Sequence, residues 1–167
     1  TRRCNLSCIH CYNSGGISTE QELEIAPNYK AIIDRVVQAG FNHIHLLGGE
    51  PLLVKGLLDL LYYANIKGIL ISINTNGTLL TKKFINELIE SNVSQLTFSL
   101  DGATESSNDA IRGSGNYKRV TENIKQTISC IEQAKSTMLV QVATVVTKQN
   151  ISTIHKLPEV LRNMGVK

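Results

Sequence analysis

From residue 29 to residue 167 the sequence switches repeatedly between two hydrophobic periods, and that alternation restricts the fold more than anything else in it. Residues 29–39 place Ile32, Ile33, Val36 and Val37 on one helical stripe, with Gly40 set to end it. Residues 43–47 read as a short strand running into Gly48-Gly49, and residues 57–66 suit a second helix. A β-branched strand follows over 69–74, then a helix to Glu90 with Thr81 as its N-cap, then a strand over 95–100. A long loop leads to a helix over 117–133 and a strand over 138–146. The last helix, 152–163, contains Pro158, which must kink or delay it. Strands alternating with helices of this length form βα units with a parallel sheet, here as one domain spanning residues 1–167.

Composition excludes several classes. Apolar residues make up 42% and charged residues 19%, which argues against disorder. No apolar run approaches the roughly 20 residues that cross a bilayer. The opening residues are basic and cysteine-rich with no apolar signal region, so the cytoplasm is the expected location and no membrane partner is expected. The net charge of +3 comes from scattered Lys and Arg, so nucleic acid is not indicated. The chain starts without Met at a cysteine cluster and stops at Met164-Gly165-Val166-Lys167, like a helix running into another strand. It is therefore expected to be part of a longer protein, with a first strand and a last βα unit outside it.

Residue types that carry chemistry cluster where the strands end. Gly48-Gly49-Glu50-Pro51, Asn74-Thr75-Asn76-Gly77, Ser99-Leu100-Asp101-Gly102 and Thr147-Lys148-Gln149-Asn150 each follow a strand. In parallel α/β folds that edge hosts the active site. Three of the four cysteines, Cys4, Cys8 and Cys11, fall within eight residues before the first helix. Such a cluster reads as metal-binding or catalytic rather than as a disulfide framework. Spacing alone admits iron–sulfur, zinc or a redox pair. Structural zinc would recruit a fourth ligand from His10, His43, His45 or Cys130, whereas three thiolates leave one cluster iron with an open position.

The stretch TRRCNLSCIHCY, with His10 before the last cysteine, followed some 40 residues later by GGEP, resembles the radical S-adenosylmethionine (radical SAM) enzymes. The likeness covers essentially the whole chain. It implies a partial parallel (β/α) barrel of TIM-like type, truncated at both ends. It implies that Cys4, Cys8 and Cys11 hold a [4Fe–4S] cluster whose open iron binds the amino and carboxylate groups of S-adenosylmethionine. An electron from the cluster then cleaves the sulfonium to a 5′-deoxyadenosyl radical, which takes hydrogen from substrate. A low-potential donor such as flavodoxin or ferredoxin is an implied partner.

The same resemblance nominates further cofactor-binding residues. Gly48, Gly49, Glu50 and Pro51 match the segment that holds the methionine amino group, although a Gly-Gly-Glu-Pro turn would read the same. Thr75 and Asn76 match a pocket-lining position that is equally a turn. Ser99 and Asp101 match a segment contacting the methionine carboxylate or ribose, and Arg112 in DAIRG suits a carboxylate clamp. Val142 and Thr144 alternate on a strand and are placed for adenine, or for ordinary core. Tyr12 either shields the cluster or packs on its loop. His43 and His45 read as hydrogen-bonded structural residues, and Cys130 as a half-buried packing thiol. The cysteine loop, LDG…DAIRG and VVTKQN look like the branch that modifies peptides or proteins, the first substrate expectation. Tetrapyrrole side-chain modification in haem biosynthesis is an alternative. A non-catalytic metal-binding or electron-transfer module is the other.

Overall fold

The computed structural model describes residues 1–13 and 28–167. Four strands, β1 (His43–Leu46), β2 (Leu70–Thr75), β3 (Gln95–Ser99) and β4 (Leu139–Ala143), form one sheet in the order β1-β2-β3-β4. Every pair is parallel, as the βα alternation requires. The register puts Ile44 beside Ile71, Leu46 beside Ile73, Leu96 beside Val140 and Phe98 beside Val142. One face of the sheet is thus apolar. The other carries His43, His45, Ser72, Asn74, Gln95, Thr97 and Gln141.

The apolar face is covered by helices. Helix α1 (Tyr29–Gln38) buries Ile33, and α2 (Leu57–Ile66) buries Leu57, Leu61 and Ala64. Helix α3 (Lys82–Glu90) adds Ile85 and Leu88, with the Thr81 hydroxyl accepting from the Phe84 amide as an N-cap should. These side chains and Ile71, Ile73, Leu96 and Phe98 make one continuous core. The polar face is left to the site side of the sheet. No described helix is long and apolar enough to cross a membrane.

Three elements differ from the sequence expectation. The loop after β3 contains α4 (Glu105–Arg112), started by a reciprocal capping box between Thr104 and Ser107. Its apolar content is too small to show a stripe, and the capping pair was its only local signal. Helix α5 (Asn116–Ala134) then packs Val120, Ile124 and Cys130 into the core. Strand β4 ends at Ala143, earlier than Val146, because the Val145 amide turns to the Asp101 carboxylate and Thr144 Oγ1 to the Leu100 carbonyl. Helix α6 (Leu157–Asn163) starts late, after a 3₁₀ turn at Ile154–Lys156. Pro158 sits in its first turn, where a missing N–H costs nothing.

Candidate active site

All four strand ends meet the cysteine segment at the C-terminal edge of the sheet. Residues 1–3 run beside 48–50: the Gly49 amide donates to the Thr1 carbonyl (2.7 Å) and the Glu50 amide to the Arg3 carbonyl (2.8 Å). This contact explains the glycine pair. A Cβ on Gly49 would lie 2.1 Å from the Arg3 carbonyl oxygen, and one on Gly48 would lie 2.4 Å from that of Thr1. The backbone that approaches Gly48-Gly49 so closely is the segment leading into Cys4.

Beyond this junction lies a cavity of about 310 Å³. It is lined by Cys4, Cys8, Cys11 and His10, by Gly48, Gly49, Thr75, Asn76, Ser99 and Thr144 from the strand ends, and by Arg112 from the end of α4. Tyr12, 80% exposed, stands at the rim. Leu47, Asn74, Ala143 and Val145 also line it. Leu47, Ala143 and Val145 were not anticipated as site residues. The alternation in Val140-Gln141-Val142-Ala143 was the available signal, since it pairs Val142 with the core face. Val142 is packed against the core on the helix side and is absent from the cavity wall.

Glu50, Pro51 and Asp101 are buried behind the wall. The Glu50 carboxylate accepts hydrogen bonds from Thr75 Oγ1 (2.8 Å), the Asn76 amide (2.7 Å) and the Leu52 amide (3.1 Å). It thereby ties the end of β1 to the end of β2. Burial pushes its carboxyl up, opposed by those three donors and by the Arg112 charge. Glu50→Ala would leave the Asn76 amide and the Thr75 hydroxyl without their acceptor in a buried site. A loss of about 3 kcal/mol is expected. Chemical denaturation of the cluster-free protein measures it, and an unchanged midpoint would remove Glu50 from this role.

Two polar networks fasten the cysteine loop. At Cys4, Asn76 Nδ2 donates to Asn5 Oδ1 (2.8 Å) and to Cys4 Sγ (3.7 Å), while Asn5 Nδ2 donates to Thr78 Oγ1 (2.8 Å). At Cys8, Arg112 Nη1 donates to Sγ at 3.8 Å. Arg112 Nε and His10 Nε2 both lie 2.6 Å from Asp101 Oδ2. The Nε–H does not meet hydrogen-bond geometry, so the Arg112 contact is an ion pair. The Ile9 amide also donates to the Ile111 carbonyl (3.0 Å). Burial raises the Cys4 and Cys8 thiols above 9.0. A backbone hydrogen bond from Leu6 and the Asn76 amide oppose this at Cys4, and the Arg112 charge opposes it at Cys8. Without metal the balance therefore holds Cys4 and Cys8 as thiols, and binding a metal group there would release their protons.

The candidate fourth ligands are engaged elsewhere. Cys130 is 3% exposed in the core of α5. His43 Nε2 meets Ser72 Oγ (2.9 Å), His45 Nε2 meets Asn74 Oδ1 (2.8 Å), and His10 is held by Asp101. Among the described residues no three His, Cys, Asp or Glu side chains converge as ligands of a single ion would. In a cluster, by contrast, each thiolate takes its own iron. Three soft donors on one cavity, with donors directed at the sulfurs of Cys4 and Cys8, fit an iron–sulfur cluster.

A parallel βα sheet carrying a three-cysteine loop and a cavity at its C-terminal edge defines an α/β protein built for cofactor chemistry. The chain belongs to the Radical SAM superfamily, whose sequence model matches residues 1–159. Enzymes of that superfamily pair a [4Fe–4S] cluster with S-adenosylmethionine. The chain is 43% identical over 114 residues to the Fe-coproporphyrin III synthase of Methanosarcina barkeri, covering 68% of this chain and 28% of that protein. It is 30% identical over 168 residues to the mycofactocin maturase MftC of Mycolicibacterium smegmatis, covering 99% of this chain and 41% of that one. In fold it is similar to Streptococcus suis SuiB bound to S-adenosylmethionine. There the TM-score is 0.83 at 20% identity, over 100% of this chain and 37% of SuiB. The chain thus spans less than half the length of these relatives.

Proposed function

We propose that this chain is the catalytic core of a radical SAM enzyme acting on a peptide or protein. The observation that carries the reading is the convergence of Cys4, Cys8 and Cys11 with the GGEP, Ser99 and Arg112 segments on one cavity. Cys4, Cys8 and Cys11 would hold the [4Fe–4S] cluster, leaving S-adenosylmethionine to occupy the wall formed by Gly48, Gly49, Thr75, Asn76, Ser99 and Thr144. When bound, the pair supplies a 5′-deoxyadenosyl radical that takes a hydrogen atom from substrate. The chain's own part is positioning and shielding: the strand ends fix the wall, and Tyr12, Leu47 and Val145 supply apolar cover near the loop. A low-potential donor such as flavodoxin or ferredoxin would deliver the electron.

The peptide substrate is supported by the likeness to MftC along nearly the whole chain. The higher identity to Fe-coproporphyrin III synthase favours a second reading, modification of tetrapyrrole side chains. The test is anaerobic reconstitution with iron and sulfide, then the EPR spectrum of the reduced protein with and without S-adenosylmethionine. A 5′-deoxyadenosine assay follows in the presence of candidate peptides or of coproporphyrin. A spectral change with 5′-deoxyadenosine formed supports the radical chemistry, and the compound that raises its yield identifies the substrate class. A cluster indifferent to S-adenosylmethionine, or protein loaded with zinc alone, would reduce the site to a structural or electron-carrying centre.

A further inference from the structure

Asn76 and Arg112 were anticipated as contacts of the small-molecule cofactor, yet their donors are aimed at sulfur. Asn76 Nδ2, which also donates to Asn5 Oδ1 at 2.8 Å, reaches Cys4 Sγ at 3.7 Å, and Arg112 Nη1 reaches Cys8 Sγ at 3.8 Å. Both lie within range of N–H···S bonds. Each donor is held from behind. Asn76 Oδ1 accepts from the Thr78 amide (3.0 Å) and hydroxyl (2.7 Å), which fixes the amide's orientation and leaves Nδ2 facing the loop. Arg112 is 8% exposed and pairs through Nε with Asp101, itself fully buried. Asp101 is anchored on every side. Its Oδ1 accepts from the Val145 amide (2.8 Å), its amide donates to Asn108 Oδ1 (2.9 Å), and its carbonyl accepts from Asn150 Nδ2 (2.5 Å). Its second oxygen also holds His10, within the cysteine loop. Such bracing exceeds what a carboxylate needs merely to neutralise one arginine.

We propose that Asn76 and Arg112 set the reduction potential of the bound cluster by donating to Cys4 and Cys8, and that Asp101 is the positioning residue that holds Arg112 in place. The inference rests on the three-cysteine reading given above. The couple concerned is the addition of one electron to the cluster from an external donor, with no bond made or broken. Reduction increases negative charge on the thiolate sulfurs, so donors aimed at them stabilise the reduced state and raise the potential. Asp101, with its charge 2.6 Å from Arg112 Nε, restrains that effect while fixing the fork's direction.

The experiment is a reductive titration of the reconstituted protein followed by EPR, with iron and sulfide content measured on each sample. Asn76→Ala keeps the backbone bond from residue 76 to Glu50, because that bond uses the main-chain amide. With clusters intact, Asn76→Ala and Arg112→Gln are each expected to lower the reduction equilibrium constant about tenfold, about 59 mV for one electron. Asp101→Asn should shift the potential less in the Arg112→Gln background than in the wild-type background, because part of its effect passes through Arg112. Unchanged potentials in cluster-loaded Asn76→Ala and Arg112→Gln overturn the proposal. Should Arg112→Gln hold no cluster, Arg112→Lys and Asn76→Ala decide, since lysine keeps the charge but lacks the fork. Wild-type potentials in both then overturn it. Wild-type protein that takes up no iron at all would refute the cluster assignment instead, and the two failures are distinguishable.

Discussion

Cys8→Ala is expected to abolish cluster assembly, whereas Cys130→Ala leaves it intact. Both residues are cysteines of one chain, and their environments differ in the way that matters. Cys8 is half-buried, lines the cavity with Cys4 and Cys11, and receives a hydrogen bond from Arg112. Its loss leaves two thiolates on that cavity, too few to retain a [4Fe–4S] cluster against solvent. Cys130 lies on α5 within the apolar core, 3% exposed, and behaves as a small hydrophobe. Truncating it removes one buried sulfur, at a cost of about 1 kcal/mol in stability. Anaerobic reconstitution followed by iron and acid-labile sulfide analysis separates the two. Equal loss of iron in both variants would show the ligand assignment to be wrong.

The two assignments differ in how readily the sequence reveals them, and the same holds along the chain. Strands β1 to β4 were visible because each is a short stretch of alternating or β-branched residues with a helical stripe after it, so period and length agree. The site's location followed, since the GGEP, NTNG and SLDG segments come directly after strands. Helix α4 was hidden for a definite reason. Its order comes from polar contacts: Asp109 accepts from the Gly115 and Tyr117 amides, and Asn108 Nδ2 donates to Asn116 Oδ1. Hydrophobic periodicity carries no trace of such bonds. Glu50 and Asp101 posed a related difficulty. Their positions at strand ends were legible, but which way a carboxylate faces depends on register and on neighbours far along the chain. Asp101 meets His10 across 91 residues of sequence. Val142 shows the limit from the other side, because an alternating strand offers two faces and only pairing with β3 tells them apart.

Gly49→Ala should leave the sheet folded and yet strip the protein of most of its capacity to take up a cluster. Gly49 does not need glycine for its backbone angles, as Gly68 does at φ +72°. What it needs is space. The alanine methyl would meet the Arg3 carbonyl oxygen at 2.1 Å, its carbon at 2.5 Å and the Arg2 carbonyl oxygen at 2.7 Å, all far inside van der Waals contact. Backbone cannot yield as a flexible side chain can, so residues 1–3 must move away. That movement breaks the bonds from the Gly49 and Glu50 amides to Thr1 and Arg3, and it displaces Cys4, the next residue. The Asp101–His10 contact would still hold the other end of the loop, leaving one cysteine out of place and two near position. Gly68→Ala is the control. Nothing lies within 4 Å of its added Cβ, so it costs about 1 kcal/mol through backbone strain and leaves the loop untouched. Iron uptake reduced at least about tenfold in Gly49→Ala, the 1.4 kcal/mol step that loss of one anchored ligand readily exceeds, is the expected result. Gly68→Ala should show full uptake and a lower melting temperature. Faster amide exchange at residues 49 and 50 in the Gly49→Ala variant would locate the damage at this junction. Normal uptake in that variant would mean that the segment leading into Cys4 is free to dock elsewhere, and that the glycine pair serves the cavity rather than the loop.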